Sequence, residues 1–367
     1  MLSIYVHFPF CERKCAYCDF VSFKCDEKTK EKYVEKLILE VKAKATKYKD
    51  VVSTIYFGGG TPTSVDADLI GQVLNEIKAN FEIESDAEIT IEGNPATFDE
   101  SKLEKLKNYG FNRFSVGIQS FNDVELNAIE RLHNGENAKT ACELLKKYFP
   151  NYSLDLMLGI PFQTMETLEN SIKQAVYLEP KHISCYMLKV ENGTPLQKYV
   201  ENGKLTIADD DLIADMYDFT VKRLAESGYN QYETSNFAIG GYFSRHNMAY
   251  WTMKNYIGLG ISAHSLVGKR RFFNGDNLTE YIENGYNEIT EETLNLNDEL
   301  EEYIMLGLRL NSGIDLQEFE KTFHQSFTEK YKATIDKLSD YLAITNTHIA
   351  IKPKYFSVAS AIIIDFM

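Results

Sequence analysis

The sequence predicts an α/β fold built around parallel strands, and two observations lead to that prediction. Short β-rich runs alternate with amphipathic helical segments six times through the first half of the chain. A strand, a helix and a second strand form a right-handed crossover, so consecutive strands are expected to be parallel. This repeat is compatible with an open doubly wound sheet and with a full or partial barrel. In each of these folds the chemistry lies at the carboxyl ends of the strands.

The individual elements follow this alternation and then depart from it. Strand character is strongest in 3–7, 53–57, 88–92, 113–116, 153–157 and 182–186, and helical spacing in 30–47, 66–77, 137–148 and 166–177. Later come a helix at 209–227, an aromatic, glycine-rich tract at 232–273, helices at 299–309, 315–323 and 327–341, and an apolar run at 361–364 that predicts a terminal strand. We therefore expect three parts: a barrel-like part over 1–205, a smaller α/β extension over 206–290 and a small, mostly helical domain over 291–367.

Composition narrows the class of protein. The chain has 367 residues, of which 44% are hydrophobic and 25% charged, as in folded soluble domains rather than disordered or fibrous chains. Its net charge of −15 argues against nucleic-acid binding, which needs a positive field. No apolar run approaches the roughly 18 residues of a membrane span, and Met1 leads directly into the first strand without a leader. We expect a cytoplasmic protein.

Three cysteines stand out in the loop after the first predicted strand. Cys11, Cys15 and Cys18 bring three thiolates together, and thiolates favour iron-sulfur clusters, zinc or Cu(I). The candidates for a fourth ligand are His7 and Cys25. If neither binds, a 4Fe-4S cluster keeps one iron open to a small molecule. Zinc is the weaker alternative because the chain has no second Cys-x-x-Cys pair.

The spacing Cys-x-x-x-Cys-x-x-Cys, with an aromatic residue before the last cysteine, resembles that of radical S-adenosylmethionine (SAM) proteins. The resemblance implies a partial (β/α)6 barrel with a 4Fe-4S cluster and SAM as cofactors. By the same resemblance, the glycine run after the second strand holds the methionine amino group of SAM. A tight strand-to-helix turn is the plain structural alternative for these glycines.

Further polar residues match positions that contact SAM in the coproporphyrinogen-oxidase-like branch of this family. The implied SAM-binding set is Tyr5, Tyr17, Gly58, Gly59, Gly60, Thr61, Glu92, Gln119, Arg131 and Asp155. Carboxylates and amides can bind ribose hydroxyls and an ammonium group, and an arginine complements a carboxylate. Solvated strand ends are the alternative interpretation. No catalytic residue is assigned.

Two features separate the functional types within this branch, which contains oxygen-independent coproporphyrinogen III oxidases and heme chaperones. The oxidase type resembles Cys-x-x-x-Cys-x-x-Cys-x-Cys, whereas this chain has Phe20 at the last of these positions. The oxidase type also carries an extension before strand one, and here strand one begins almost at Met1. Both differences favour the chaperone type.

A second motif, His-Asn-x-x-Tyr-Trp, resembles the heme-binding signature of the chaperone type. His246 is the candidate heme contact, and Tyr250 and Trp251 are the candidates for stacking on the porphyrin. His264 is a rival to His246. Without the family, a histidine in an aromatic stretch is more often a satisfied core residue.

These observations predict a heme chaperone that binds heme and passes it to acceptor proteins such as respiratory enzymes. The alternative is an oxygen-independent coproporphyrinogen III oxidase or another porphyrin-modifying radical SAM enzyme. A structural cluster protein without radical chemistry is a third reading. The sequence does not set the oligomeric state. It also leaves peripheral membrane contact open, although no basic amphipathic helix indicates such contact.

Overall fold

The computed structural model describes all residues from Met1 to Met367. The strands are β1 Leu2–Phe8, β2 Val52–Gly59, β3 Ile83–Gly93, β4 Arg113–Gln119, β5 Tyr152–Leu158, β6 His182–Met187, β7 Asn230–Glu233, β8 Asn236–Ala238, β9 Tyr256–Leu259, β10 His264–Val267, β11 Arg270–Asn274, β12 Glu288–Thr293, β13 Ile314–Asp315, β14 Leu342–Ile344 and β15 His348–Ile351. The helices are α1 Glu27–Lys47, α2 Ala67–Asn80, α3 Glu100–Tyr109, α4 Asp123–Ala128, α5 Gly135–Tyr148, α6 Met165–Tyr177, α7 Pro195–Glu201, α8 Asp210–Glu226, α9 Arg245–Trp251, α10 Leu278–Asn284, α11 Leu296–Gly307, α12 Leu316–Phe323, α13 Phe327–Lys330, α14 Lys332–Lys337 and α15 Ala359–Ile364.

The first six strands form the parallel sheet that the sequence predicts. They lie side by side in chain order, from β1 to β6, and each pairs in parallel with the next. This order is that of a partial (β/α)6 barrel rather than a doubly wound sheet, in which the chain would reverse direction along the sheet. The predicted fold class is confirmed.

The strands of the extension continue this sheet at both edges. β9 pairs in parallel with β1, and β10 to β12 follow it, while β8 and β7 extend the sheet beyond β6. The expected boundary at residue 290 falls inside β12, which pairs with β11 as far as Thr293. A separate three-stranded sheet, in the order β13-β15-β14, lies among the C-terminal helices.

One buried ion pair joins the barrel to the extension. Glu40 and Lys44 on α1 are fully buried, with Lys44 Nζ 3.0 Å from Glu40 Oε1. Lys44 donates to the carbonyl of Gly258 on β9 (2.7 Å), and Glu40 accepts from Asn274 on β11 (2.7 Å) and Tyr281 on α10 (2.7 Å). Charges removed from water are tolerated only when they are paired in this way. The pair therefore fixes α1 against the extension.

The predicted terminal strand at 361–364 is wrong, because this run lies in α15. Ile362 and Ile363 face the protein core, while Ile364 is exposed. A short apolar run has no periodicity that distinguishes a buried helix from a strand. None of the helices is both long enough and apolar enough to span a membrane.

Candidate functional site

A cavity of about 440 Å³ occupies the interior of the barrel and opens at the carboxyl ends of the strands. The predicted residues that line it are Cys11, Cys15, Tyr17, Cys18, Gly59, Gly60, Thr61, Glu92, Gln119, Arg131 and Asp155. Tyr5 and Gly58 of the predicted set are not among the lining residues. The cavity therefore brings together most of a set that is scattered over more than 140 residues of sequence.

The cysteine loop connects β1 to α1 and is held in place by backbone hydrogen bonds. The amide of Cys11 donates to the carbonyl of Phe23 (3.0 Å), and the amide of Ala16 donates to the carbonyl of Ile129 (3.1 Å). Burial raises the pKa of the Cys11 thiol, and it raises that of Cys18 to about 11. These two thiols are neutral at pH 7 until a metal ion displaces their protons.

The donor set fits a cluster better than a single metal ion. All six cysteines are free thiols, and nowhere are three His, Cys, Asp or Glu side chains grouped closely enough to hold one metal ion. A single zinc ion would draw its sulfur ligands together at Zn–S distances of about 2.3 Å. An iron-sulfur cluster binds each thiolate through a different iron and so accepts wider spacing.

Neither candidate for a fourth ligand joins the three cysteines. His7 and Cys25 are not among the residues that line the cavity. The ring of His7 is engaged through both nitrogens, Nε2 with the carbonyl of Val21 (3.0 Å) and Nδ1 with the Tyr5 hydroxyl (3.1 Å). Burial lowers its pKa to about 4. This arrangement leaves three thiols as the protein ligands available in the cavity.

The glycine run at the end of β2 is required by close packing. Gly59 has a φ of +111°, and a Cβ there would lie 2.6 Å from the ring of His7. A Cβ on Gly60 would lie 2.7 Å from the carbonyl oxygen of Phe10. Only glycine lets the end of β2 approach the start of the cysteine loop this closely. The tight turn and a ligand role are thus compatible at the same residues.

Gln119 and Arg131, both of the predicted SAM-binding set, have polar atoms without hydrogen-bond partners in this cavity. Gln119 has a φ of +71°, a strained backbone conformation for this residue type, and its buried Oε1 has no hydrogen-bond partner. Arg131 contacts the Gly117 carbonyl and donates to Cys15 Sγ (3.3 Å), while its Nε has no partner. Unsatisfied buried groups are expensive, so both fit a polar ligand that the cavity would hold.

Two partly buried carboxyl groups face the same space. Burial raises the pKa of Glu92 to about 7, and Tyr56 donates to its Oε1 at 2.5 Å. Burial also raises the pKa of Asp155, which accepts a long hydrogen bond from Ser115 (3.4 Å). A carboxyl group that titrates near neutrality can both donate to and accept from a sugar hydroxyl.

Four further polar residues that line the cavity were not predicted from the sequence. They occupy alternate positions of β4 and β6 and comprise Arg113, Ser115, His182 and Ser184. Alternate residues of a strand face the same side, so polar residues at every second position of a buried strand were the available signal. Buried Arg113 Nε and His182 Nδ1 have no hydrogen-bond partner, although Arg113 Nε lies 3.9 Å from Glu88 Oε2.

The His-Asn-x-x-Tyr-Trp motif forms α9, which lies against the amino-terminal part of the barrel strands. His246 is buried, with Nδ1 2.8 Å from Thr54 Oγ1 on β2 and Nε2 2.8 Å from the Tyr250 hydroxyl. Its ring stacks on Tyr56 with centroids 5.0 Å apart, and burial lowers its pKa to about 3. Asn247 lines the cavity. The motif therefore packs at the opposite end of the barrel from the cysteine loop.

The other aromatic and histidine candidates differ in accessibility. Trp251 is partly buried beneath the guanidinium of Arg309, which lies 4.8 Å from its ring centroid, and its Nε1 has no partner. His264 is exposed on β10, stacked on Phe273 with centroids 5.1 Å apart. Neither Trp251 nor His264 lines the cavity.

Comparisons with known proteins agree with this geometry. A family model for the radical SAM superfamily matches residues 5–175, and one for the HemN C-terminal domain matches residues 294–354. The solved structure of coproporphyrinogen III oxidase (HemN) from Escherichia coli superimposes with a TM-score of 0.85 at 22% identity, covering 100% of this chain and 89% of that one. The barrel, the three-cysteine loop and these matches together place the chain in the class of radical SAM proteins.

The relatives specify the family within that class. The heme chaperone HemW of Bacillus subtilis is 33% identical over 96% of this chain and 94% of its own length. HemW of Lactococcus lactis is also 33% identical, over 94% of this chain and 91% of its own length. The chain belongs to the HemW family of radical SAM proteins.

Proposed function

We propose that this protein is a heme chaperone, which binds heme and transfers it to acceptor proteins. The observation that carries the proposal is the near full-length similarity to proteins named heme chaperone HemW, at 33–36% identity. Phe20, at a position where the oxidase type has a cysteine, supports the same assignment. Acceptors such as respiratory enzymes and a cytoplasmic site of action are part of this proposal.

The proposed cofactors are a 4Fe-4S cluster and SAM, which the family implies. Cys11, Cys15 and Cys18 would hold the cluster, and bound together the two cofactors supply one-electron radical chemistry. Arg131 would complement the carboxylate of SAM, and Glu92 would bind a ribose hydroxyl. Partial burial of these side chains in the cavity would strengthen such contacts.

The heme contacts that the family motif implies, His246, Tyr250 and Trp251, can form only under a structural condition. Both ring nitrogens of His246 are occupied, so ligation of heme iron requires Nε2 to leave the Tyr250 hydroxyl. Neutral imidazole is the form that binds iron, and the lowered pKa of His246 keeps it neutral. Either α9 moves to admit heme, or His246 stabilises neighbouring residues without binding the iron.

One preparation tests the proposed function. The protein is reconstituted anaerobically with iron and sulfide, titrated with heme and followed by absorbance, while a parallel sample receives coproporphyrinogen III. We expect one heme per chain and no decarboxylated product. Absence of heme binding by protein with a verified cluster would contradict the proposal.

The second candidate is a porphyrin-modifying enzyme, and the convergence of Glu92, Gln119 and Asp155 on one cavity favours it. A chaperone that only carried heme would have no need of this complete polar constellation. Conversion of coproporphyrinogen III to protoporphyrinogen IX by the same preparation would establish this alternative.

A further inference from the structure

The mouth of the cavity has a surface that the proposed cofactors do not account for. It consists of Arg13, Lys14, Phe20 and Leu132, and we call it the cluster rim. All four residues line the cavity, next to the cysteine loop. Phe20 is 62% exposed and Leu132 is 38% exposed. Apolar side chains at the edge of a concave site commonly mark the place where a ligand binds.

The two cations of the cluster rim have no acidic partner. Lys14 Nζ donates to the carbonyl of Phe20 (2.8 Å), and Arg13 donates to the carbonyls of Glu130 (2.9 Å) and Arg131 (2.6 Å). These bonds hold both side chains beside the two apolar residues, but they leave the charges unneutralised.

The neighbouring acids are already engaged elsewhere. Glu12 lies 3.6 Å from Lys30, and the carboxylate of Glu130 accepts from the hydroxyl of Tyr199 (2.7 Å). Asp19 is exposed between Cys18 and Phe20 and makes no ion pair with Arg13 or Lys14. The chain has a net charge of −15, so two unpaired cations at the mouth of the cavity form a local positive patch on an acidic protein.

Heme has the chemistry that this surface complements. Its flat apolar face can pack on the exposed ring of Phe20 and on Leu132, and its two propionates can pair with Arg13 and Lys14. His246, by contrast, is buried at the other end of the barrel with both ring nitrogens occupied. We propose that heme docks on the cluster rim, over the cysteine loop. This inference rests on the proposed heme-chaperone function.

The test compares variants of the rim with a matched control outside it. The variants are Phe20→Ser and the double variant Arg13→Gln/Lys14→Gln, and the control is Tyr177→Ser, which removes an exposed aromatic ring from α6 away from the cavity. Each protein is loaded with its cluster first, so that free thiols cannot bind heme iron. Iron content and far-UV circular dichroism verify each preparation.

Hemin titration is the readout. We expect Phe20→Ser to weaken hemin binding about tenfold, because the variant loses most of the apolar contact of one ring. The double variant should weaken it roughly threefold to tenfold, and Tyr177→Ser should not change it. The dimethyl ester of hemin, which lacks the propionate charges, should bind wild type and the double variant equally.

The outcomes separate this inference from the proposed function. Failure of wild type to bind hemin contradicts both. Wild-type affinity in both rim variants, with binding lost only in His246→Ala, overturns the rim assignment and leaves the chaperone function standing. Unchanged hemin affinity combined with slower cluster reduction by a protein electron donor would also overturn it, since the rim would then be a protein docking surface.

Discussion

Replacement of Lys44 by methionine should cost this protein a large part of its stability. The variant keeps the length of the side chain but removes the ammonium group. Glu40 then keeps three donors, the Gly260 amide (2.9 Å), Asn274 (2.7 Å) and Tyr281 (2.7 Å), but loses its only cation. Breaking one partner of a buried pair leaves an uncompensated charge, and this typically costs about 3–5 kcal/mol.

Urea unfolding followed by circular dichroism measures that cost. Lys42→Met is the matched control, because Lys42 is half exposed and lies 3.6 Å from Glu76, so its loss should change the unfolding free energy by less than about 1 kcal/mol. A double variant, Lys44→Met with Glu40→Gln, removes both charges and should be less destabilised than the sum of the two single variants.

Hydrogen exchange locates the effect. The amides of β9 and β11 should lose protection in Lys44→Met, because Lys44 and Glu40 hold these strands against α1. A Lys44→Met protein within about 1 kcal/mol of wild type would refute the reasoning. So would a double variant whose loss equals the sum of the single losses, because the two charges would then act independently.

Three further predictions concern the cavity. Cys15→Ser should abolish reconstitution of a four-iron cluster, and a normal iron content in that variant would disprove the three-thiolate assignment. Gly60→Ala should destabilise the protein by about 1–3 kcal/mol in thermal or urea unfolding, since the added Cβ would lie 2.7 Å from the Phe10 carbonyl oxygen. The Glu92 pKa of about 7 exceeds its unfolded value, so the folded state binds the extra proton and stability should fall as pH rises from about 4.5 to 7. Glu92→Gln should remove that component, roughly 3 kcal/mol, and equal pH profiles of unfolding for variant and wild type would contradict it.

The parallel sheet and the cysteine loop could be predicted from sequence because both are local signals. Each strand and helix of the first half carries its own periodicity, and the three cysteines lie within eight residues. α15 was not predicted because a short apolar run without intervening polar residues fits a buried strand as well as a buried helix. The continuation of the sheet by β9 to β12 depends on pairing with β1, a contact across about 250 residues that no local pattern encodes.

The surroundings of the site were likewise only partly predictable from the sequence. The alternate polar positions of β4 and β6 were visible in the sequence, although their convergence on one cavity was not. The environment of His246 depends on Thr54, Tyr56 and Tyr250, which reach it from β2 and from one turn along α9. A motif identifies the histidine but does not say which partners its ring nitrogens have already taken.

The unpartnered polar atoms of the cavity have a consequence for the abundance of this protein in the cell. Arg113, Gln119, Arg131 and His182 each have a buried polar atom with no hydrogen-bond partner in the protein. Any molecule that satisfies these atoms stabilises the folded chain in proportion to the logarithm of its concentration. The unloaded chain is then the form most exposed to proteolysis, where a difference of 1–2 kcal/mol can change abundance several-fold. With the proposed cofactors, the supply of SAM would therefore affect how long each copy survives.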